Sequence, residues 1–263
     1  MTEPTEKKPL GIDDAPPLFK LIIENFRDNY RNNNDENYKK IEQLLNEGVN
    51  VNEPFADSSP LFFAIFILPE TPIILEAFLP GDNAFYPIFH PPSLKVIKLL
   101  IEKGADVNTT INGSEKKNSG ITPLMIASMR QNPELVQLLL DNNADVNAVD
   151  GDGDSALMLA ARGFHQDRTI YASPYLKKVA DILISSGANV NLINKKGNSA
   201  LDLCGKGILY GARKGFDPIA KAIKAAGGKT AKELSLTGGR SRSRRQITKK
   251  TRRSSKTHRN KKA

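Results

Sequence analysis

The sequence is poor in the residues that build metal centres and disulfide frameworks. Its 263 residues include one cysteine, Cys204, three histidines and no tryptophan. A single cysteine excludes an intramolecular disulfide and a cysteine-based zinc cluster. The histidines, His90, His165 and His258, lie far apart and have no cysteine or acidic residue at ligand spacing. We therefore predict no metal site and no cofactor.

Long apolar segments are lacking as well. The first 17 residues are polar and rich in proline, without the apolar core of a secretory signal. The longest apolar run, residues 61–68, is too short to span a bilayer. We expect an intracellular protein of the cytoplasm or nucleus that makes no membrane contact, and we expect it to be a monomer.

Motifs of enzymatic chemistry are also missing. The sequence contains no G-x-x-x-x-G-K-[ST] phosphate loop, no G-x-G-x-x-G dinucleotide motif and no G-x-S-x-G nucleophile turn. Cys204 stands where a small residue recurs in a repeated phrase, so we expect a buried, inert thiol. The sequence therefore predicts a protein that is not an enzyme and has no small-molecule substrate.

The positive charge of the chain is unevenly distributed. There are 38 lysines and arginines and 29 acidic residues, and the formal net charge is +9. Residues 240–263 hold 12 of the basic residues and no acidic one, which leaves 26 basic against 29 acidic residues elsewhere. Because a mildly acidic body carries a strongly basic tail, we expect any nucleic-acid interaction to depend on the tail alone.

Internal repetition is the main positive feature. One phrase reads GVNVN at 48–52, GADVN at 104–108, NADVN at 143–147 and GANVN at 187–191, and a degraded copy begins at Gly227. A second phrase alternates with it, as SSPLFFAI at 58–65, ITPLMIAS at 121–128, DSALMLAA at 154–161 and NSALDLCG at 198–205, with a weaker version at 15–22. Such repetition predicts stacked units that act through a surface.

Helix boundaries follow from the same phrases. A serine or threonine in each second phrase is expected to cap a helix, with Pro60 and Pro123 at the first helical position. The second helices of three repeats are expected to start at a capping residue followed by proline, namely Asn132-Pro133, Ser173-Pro174 and Asp217-Pro218. Each helix pair is expected to end at a residue that tolerates the left-handed conformation, namely Gly48, Gly104, Asn143, Gly187 or Gly227.

Together, the two phrases resemble the ankyrin repeat family, whose pattern is D-x-x-G-x-T-P-L-H-x-A-A followed by an apolar helix and G-A-D-V-N. The resemblance covers residues 15–236 and implies an all-α repeat solenoid of about five repeats. Each repeat would be a helix–turn–helix with a β-hairpin finger. The composition also resembles the ankyrin repeat proteins of large DNA viruses. The family histidine is replaced by Phe62, Met125, Met158 and Asp202, so we expect the loss of a hydrogen bond that supports the turn.

The predicted domain organisation has three parts. Residues 1–14 form a flexible N-terminus and residues 15–236 the repeat domain, with repeats over 15–52, 53–110, 117–149, 150–193 and 194–236. Residues 237–263 form a disordered basic tail, because almost no apolar residue follows Leu236. Relative to the compact third repeat, the extra residues of the other repeats are expected between their two helices.

Two segments allow competing interpretations. The aspartates of residues 150–154 suggest a calcium loop, but the loop pattern requires glycine at its sixth position and glutamate at its twelfth, where Ser155 and Ala161 stand. Their fit to the D-x-x-G phrase favours a structural role. The insertion over residues 68–92 is rich in aromatic residues, among them Phe85, Tyr86 and Phe89. These side chains either anchor a partner or cover an apolar face of the second repeat.

The resemblance implies that fingers and first helices line a concave face that holds a protein partner. The finger residues with the polar side chains that recognition needs are Asn112, Glu115, Lys116, Lys117, Asp150, Asp152, Asn194, Lys195 and Lys196. The third finger is acidic and the fourth is basic. We therefore predict a protein-interaction module that binds an unidentified macromolecular partner.

The basic tail supports three interpretations: nuclear targeting, sequence-independent contact with nucleic acid, or solubility. It lacks Phe, Tyr and Trp, so only phosphate contact is supported, not base stacking. An alternative function is therefore a nucleic-acid-associated protein in which the tail supplies most of the affinity. The residues concerned are Arg242, Arg244, Arg245, Lys249, Lys250, Arg252, Arg253, Lys256 and Arg259.

Overall fold

A computed structural model describes residues 14–32, 35–55, 58–66, 94–111, 119–162, 174–204 and 218–236. Helices occur in pairs along the chain. The pairs are α1 (Pro17–Asn32) with α2 (Glu36–Asn46), α3 (Pro60–Phe66) with α4 (Leu94–Glu102), α5 (Pro123–Met129) with α6 (Pro133–Asp141), α7 (Ala156–Arg162) with α8 (Pro174–Ser185), and α9 (Ala200–Leu203) with α10 (Pro218–Ala225). A further short helix spans residues 231–236.

The first helices begin where the capping residues predict. The hydroxyl of Thr122 accepts a hydrogen bond from the backbone N–H of Met125 at 3.3 Å, and Ser59, Ser155 and Ser199 cap α3, α7 and α9 in the same way. Such a bond satisfies one of the orphan N–H groups of a helix N-terminus. Helix ends are also as predicted, since Asn143 has a φ of 66° and the four glycines at the equivalent position have φ between 82° and 91°.

The helices stack in two layers. The first helices pack in the order α1, α3, α5, α7, α9, while the second helices pack α2 on α4 and α6 on α8 on α10. Between the layers lies one continuous apolar core that includes Leu61, Met125, Leu139, Met158 and Leu183. Burial of these side chains is the main favourable contribution to folding. The expected solenoid of stacked helix pairs is therefore confirmed.

Asparagine side chains join consecutive units at their base. Asn147 donates from Nδ2 to the carbonyl of Gly187 at 3.2 Å and accepts at Oδ1 from the N–H of Asn189 at 2.7 Å. Asn52, Asn108 and Asn191 make the same pair of bonds to the next copy of the phrase. The last residue of each GADVN phrase thus bridges two repeats, and even the degraded copy at Gly227 receives such a bridge.

Three details differ from expectation. In the first repeat the extra residues lengthen α1 to 16 residues instead of separating the helices, because the amphipathic pattern continues. The fingers contain isolated bridges in the described ranges, and no multi-residue strand is found there. In the fifth repeat the bond of the family histidine is not simply lost, because the Asp202 carboxylate accepts from Ser199 N–H at 2.9 Å and Ala231 N–H at 2.7 Å.

Insertions in the other repeats lie where the spacing predicts. Residues 67–93, 163–173 and 204–217 stand between the first and second helix of the second, fourth and fifth repeats. The compact third repeat has only three residues, 130–132, at this point. The predicted domain boundaries themselves stay a prediction, and the helix over residues 231–236 lies beyond the last predicted helix pair.

Candidate functional site: the third and fourth fingers

The third finger (residues 148–155) and the fourth finger (residues 192–199) share one internal geometry. Asp150 N–H donates to the carbonyl of Asp154 at 3.0 Å, and Asn194 N–H donates to the carbonyl of Asn198 at 3.0 Å. The side-chain Oδ1 of Asp150 accepts from the N–H groups two and four residues later, and Asn194 Oδ1 does the same. These identical bonds make Asp150 equivalent to Asn194, and Val149 equivalent to Ile193.

Backbone contacts join the two fingers directly. The N–H of Lys195 donates to the carbonyl of Asp152 at 2.9 Å, and the N–H of Gly151 reaches back to the carbonyl of Ser119 in the second finger at 2.7 Å. Gly153 has a φ of 79°, and a Cβ there would lie 3.2 Å from the Lys195 nitrogen. Glycine suits this position because it tolerates the left-handed backbone and has no side chain to obstruct the close approach. The backbone hydrogen bonds therefore join the fingers into one row.

Charged side chains reinforce this contact. Lys196 Nζ lies 2.5 Å from Asp152 Oδ2, and Lys195 Nζ donates to the carbonyl of Gly151. The acidic character of the third finger and the basic character of the fourth are therefore complementary to each other. A surface pair of this kind contributes about 0 to 1 kcal/mol to stability. Its main consequence is that Asp152 and Lys196 hold adjacent fingers and neutralise each other in part.

A buried carboxylate lies beneath the finger tips. Asp154 is fully buried and forms an ion pair with Arg162 at the end of α7. Its other oxygen accepts from Asn194 Nδ2 at 2.6 Å, and Asn194 is also buried. Because a buried charge needs both a partner and hydrogen bonds, this triad fixes the fourth finger against the start of the fourth repeat.

The carboxyl group of Asp150 has a shifted pKa. Burial raises the pKa of Asp150 above its ordinary value of 3.8, and the nearby Asp154 and Asp152 charges act in the same direction. Hydrogen bonds from the N–H groups of Asp154 and Asp152 oppose this shift because they stabilise the ionised form. The group therefore serves as an acceptor for its own loop at a cost in free energy when ionised.

The structure assigns internal contacts to several predicted partner-binding residues. Asp150 and Asn194 shape their own fingers, Asp152 and Lys196 pair with each other, and Lys195 reaches the neighbouring finger. Oδ1 of Asp150 and both carboxylate oxygens of Asp154 already accept hydrogen bonds within the chain. These bonds agree with the structural interpretation of the aspartate-rich loop.

Two apolar residues of the fingers were missed by sequence reasoning. Val149 and Ile193 each expose 48% of their surface, although most large apolar residues of the repeats are buried. They occupy equivalent positions on adjacent fingers that hydrogen bonds hold together. An alignment of VDGDGDS with INKKGNS would have found them, because each stands immediately before the side chain that closes its finger.

Other predicted site residues lie outside the described residues. These are the second-finger residues Asn112, Glu115, Lys116 and Lys117, the aromatic residues Phe85, Tyr86 and Phe89 of the insertion, and the whole basic tail. The end of α3, where the aromatic insertion starts, is described. The guanidinium of Arg130 donates to the carbonyls of Ile65 and Phe66 there and lies 5.9 Å from the Phe66 ring centre. Arg130 thus fixes the point from which the insertion leaves.

The fold defines the chain as a repeat solenoid, because capped helix pairs stack on each other and asparagine side chains bridge them. The family described as ankyrin repeats, in three copies, matches residues 88–194. The chain therefore contains ankyrin repeats, as its two alternating phrases predict. The match includes the whole third finger and the first three residues of the fourth finger, Leu192 to Asn194.

Relatives that contain ankyrin repeats come from several organisms. The chain is similar to an ankyrin repeat protein of fowlpox virus (strain NVSL), with 44% identity over 63 residues, which is 24% of this chain and 22% of the relative. It is also similar to an ankyrin repeat protein of Acanthamoeba polyphaga mimivirus, with 43% identity over 76 residues, 25% of this chain and 11% of the relative. The expected resemblance to proteins of large DNA viruses is confirmed.

A third relative is not viral. The nuclear factor NF-kappa-B p105 subunit of Gallus gallus is 38% identical over 86 residues, which is 32% of this chain and 8% of the relative. The chain thus spans less than a quarter of each of these three relatives. None of them indicates an enzyme family. In the part of the chain that the structure describes, no helix is long and apolar enough to cross a membrane.

Proposed function

We propose that the protein is a non-enzymatic interaction module that binds a protein partner through the row formed by its third and fourth fingers. The observation that carries this proposal is the exposure of Val149 and Ile193 at equivalent positions of two fingers. Ankyrin repeats are generally modules of protein–protein interaction. One relative is named as a subunit, which is a protein that works in an assembly.

The geometry supports binding by a pre-formed surface. Backbone bonds and the buried Asp154 triad hold the two fingers together before any partner arrives. A rigid surface loses little conformational entropy on binding. Packed helices are usually about 8–10 Å apart, so we expect Val149 and Ile193 on adjacent repeats to present two apolar contacts at a similar spacing. Lys196 is paired with Asp152 and Lys195 bonds to Gly151, so the proposed contact depends on the two apolar side chains and not on a net charge of the fingers.

This proposal changes the role expected for several finger residues. Asp152 and Asn194 would act by holding the fingers in register, whereas Val149 and Ile193 would touch the partner. The second-finger residues Asn112, Glu115, Lys116 and Lys117 stay predicted contacts on their sequence pattern alone, and the proposed site does not depend on them. The aromatic insertion and the basic tail would add contacts elsewhere, and the proposed site does not depend on them.

Site-specific photocrosslinking in the full-length chain tests the proposal. A photoreactive residue is placed at Val149 or Ile193, and matched controls carry it at Tyr175 or Leu236, which are also exposed apolar positions. We expect both finger positions to capture the same protein from a cell extract, and we expect unmodified chain to compete for it. Identical products from finger and control positions, or products from the controls only, would contradict the finger site.

A charge exchange separates contact residues from positioning residues. Asp152→Lys would break the pair with Lys196 and place like charges together, while Asp152→Lys combined with Lys196→Asp would restore an opposite pair. We expect the single change to weaken crosslinking from Val149 and the double change to recover it. If the double variant stayed as weak as the single one, Asp152 and Lys196 would contact the partner themselves.

A further inference from the structure

The last described segment of the chain has a charge opposite to that of the preceding repeats. Residues 218–236 contain four lysines and one glutamate, whereas residues 1–217 carry 22 basic and 28 acidic residues. All four lysines, Lys221, Lys224, Lys229 and Lys232, are exposed. The excess of positive charge begins before this segment, because residues 174–217 hold seven basic and three acidic residues, and it is strongest in residues 218–236.

Local geometry concentrates these lysines. Lys221 and Lys224 are three residues apart in α10, a spacing that places two side chains on the same side of a helix, while Ile219 and Ile223 are buried. Lys229 follows in the turn after α10, where its N–H donates to Asn191 Oδ1 at 2.9 Å. This bond fixes the turn to the preceding repeat, so Lys229 belongs to the folded body and not to the tail.

Two carboxylates lie near the lysines, and both are engaged locally: Asp202 accepts from the N–H of Ala231 at 2.7 Å, and Glu233 is the one acidic residue of residues 218–236. Glu233 Oε2 accepts from the N–H of Thr230 at 2.9 Å and from its hydroxyl at 3.0 Å, which caps the helix over residues 231–236. These bonds lower the pKa of Glu233, and Lys224 and Lys229 lower it further. Both lysines are thus near the same carboxylate, although they come from different elements. The cluster keeps an excess of positive charge.

We propose that the lysines of this C-terminal end, Lys221, Lys224, Lys229 and Lys232, form a docking surface for the phosphate backbone of duplex nucleic acid. The basic residues of the tail begin at Arg240, eight residues after Lys232 in the sequence. This inference is independent of the protein-binding function proposed for the fingers. It also goes beyond the expectation that nucleic-acid contact depends on the tail alone.

The side chains present favour phosphate contact over other partners. Between Lys221 and Lys232 the surface consists of lysine, alanine, glycine and threonine, without the aromatic or arginine anchors that dominate protein interfaces. Residues 218–263 contain no Phe, Tyr or Trp, so the base stacking that supports single-strand binding is missing. A duplex offers dense phosphate charge and requires neither anchor.

Salt-dependent binding of the full-length chain tests this inference. The probe is a fluorescent DNA duplex of about 20 base pairs, for which each phosphate contact contributes about 0.9 to the slope of log K against log salt. In the test variant all four lysines become glutamine. In the matched control four other exposed lysines become glutamine: Lys39, Lys98 and Lys178 on the second helices and Lys103 directly after α4. Both variants lose the same net charge.

We expect the test variant to lower the slope by about 2 to 4 and the affinity at least about tenfold, while the control changes the slope by less than about 1. Equal slopes for the test variant and the control would overturn the inference and leave binding to the tail alone. Equal affinity for duplex and for polyglutamate of the same charge, or preference for phosphatidylserine vesicles, would overturn the choice of nucleic acid. Circular dichroism of both variants confirms that the helices remain.

Discussion

The contact between the third and fourth fingers differs sharply from the contact that ends the repeats. The first joins Asp152 to Lys195 and Lys196, and it buries Asp154 with Asn194. The second keeps the asparagine bridge from Asn191 and the bond from Ala231 N–H to Asp202, but only residues 228–230 stand in place of a finger. Helix pairs thus stack through the apolar core and the asparagine bridge without a finger, whereas the shape of a finger surface depends on contact with a neighbouring finger.

Mutations that create cavities in the core should show the largest difference in stability between the central repeats and the C-terminal end of the stack. Leu139→Ala in α6 removes a fully buried side chain between two neighbouring repeats, and we expect a loss of about 3 kcal/mol in the free energy of unfolding. Ile223→Ala in α10 creates a cavity near the end of the stack, so we expect local opening of α10 with little change in the main transition. Urea unfolding and amide exchange measure the two effects. An equal shift of the main transition would mean that the whole chain unfolds as one unit.

Removing the buried carboxylate should destabilise the finger contact next most strongly. Asp154→Ala leaves Arg162 and Asn194 without their partner, and we expect a loss of about 3 kcal/mol. Asp181→Ala is the matched control, because Asp181 forms an exposed pair with Lys177 whose loss should cost no more than about 0.5 kcal/mol. Urea unfolding measures the loss of stability in both variants. A difference below about 0.5 kcal/mol between their free energies of unfolding would refute a structural role for the triad.

The asparagine bridges should contribute less, and they should differ in where the loss appears. Asn147→Ala and Asn191→Ala each remove two hydrogen bonds to the next unit, which corresponds to about 1 to 2 kcal/mol. Finger contacts remain to hold the units together after Asn147→Ala. After Asn191→Ala we expect faster amide exchange over residues 218–236. Unchanged exchange there would show that helix packing alone holds the C-terminal end.

A change at Asp150 should have the smallest effect and a defined pH dependence. Because its pKa is raised in the folded state, the folded chain binds the proton more tightly than the unfolded chain does. Stability from this group therefore decreases as pH rises from 3.8 through the higher folded-state pKa. Asn194 shows that an amide can accept the same two bonds. We expect Asp150→Asn to gain relative stability with rising pH, by less than about 1 kcal/mol.

The measurement for Asp150→Asn is thermal unfolding of the variant and the parent across pH 3 to 7. The expected difference grows with pH and then becomes constant. Asp141→Asn is a suitable control, because Asp141 lies on the exposed surface of α6 and accepts from Gln137. A difference that falls with rising pH would show that the hydrogen bonds to Asp150 outweigh its burial.

Local signals predicted the helices well and the site poorly. Thr122 with Pro123 and Asn143 with its left-handed backbone each act within a few residues, so their consequences can be recognised in sequence. The acidic and basic characters of the fingers were also evident, but their mutual pairing was not. Asp154 and Asn194 are 40 residues apart, and their contact depends on how two repeats stack.

The sequence by itself determined the stacked repeats, the starts of the capped helices, the left-handed ends of the helix pairs and the uneven charge of the chain. Capping bonds and left-handed turns depend on nearby atoms, so a short phrase is sufficient to specify them. Only the tertiary structure decided that Asp152 and Lys196 neutralise each other and that Val149 and Ile193 stay exposed. Burial and charge pairing depend on the distance between remote segments, and that distance exists only once the repeats have stacked.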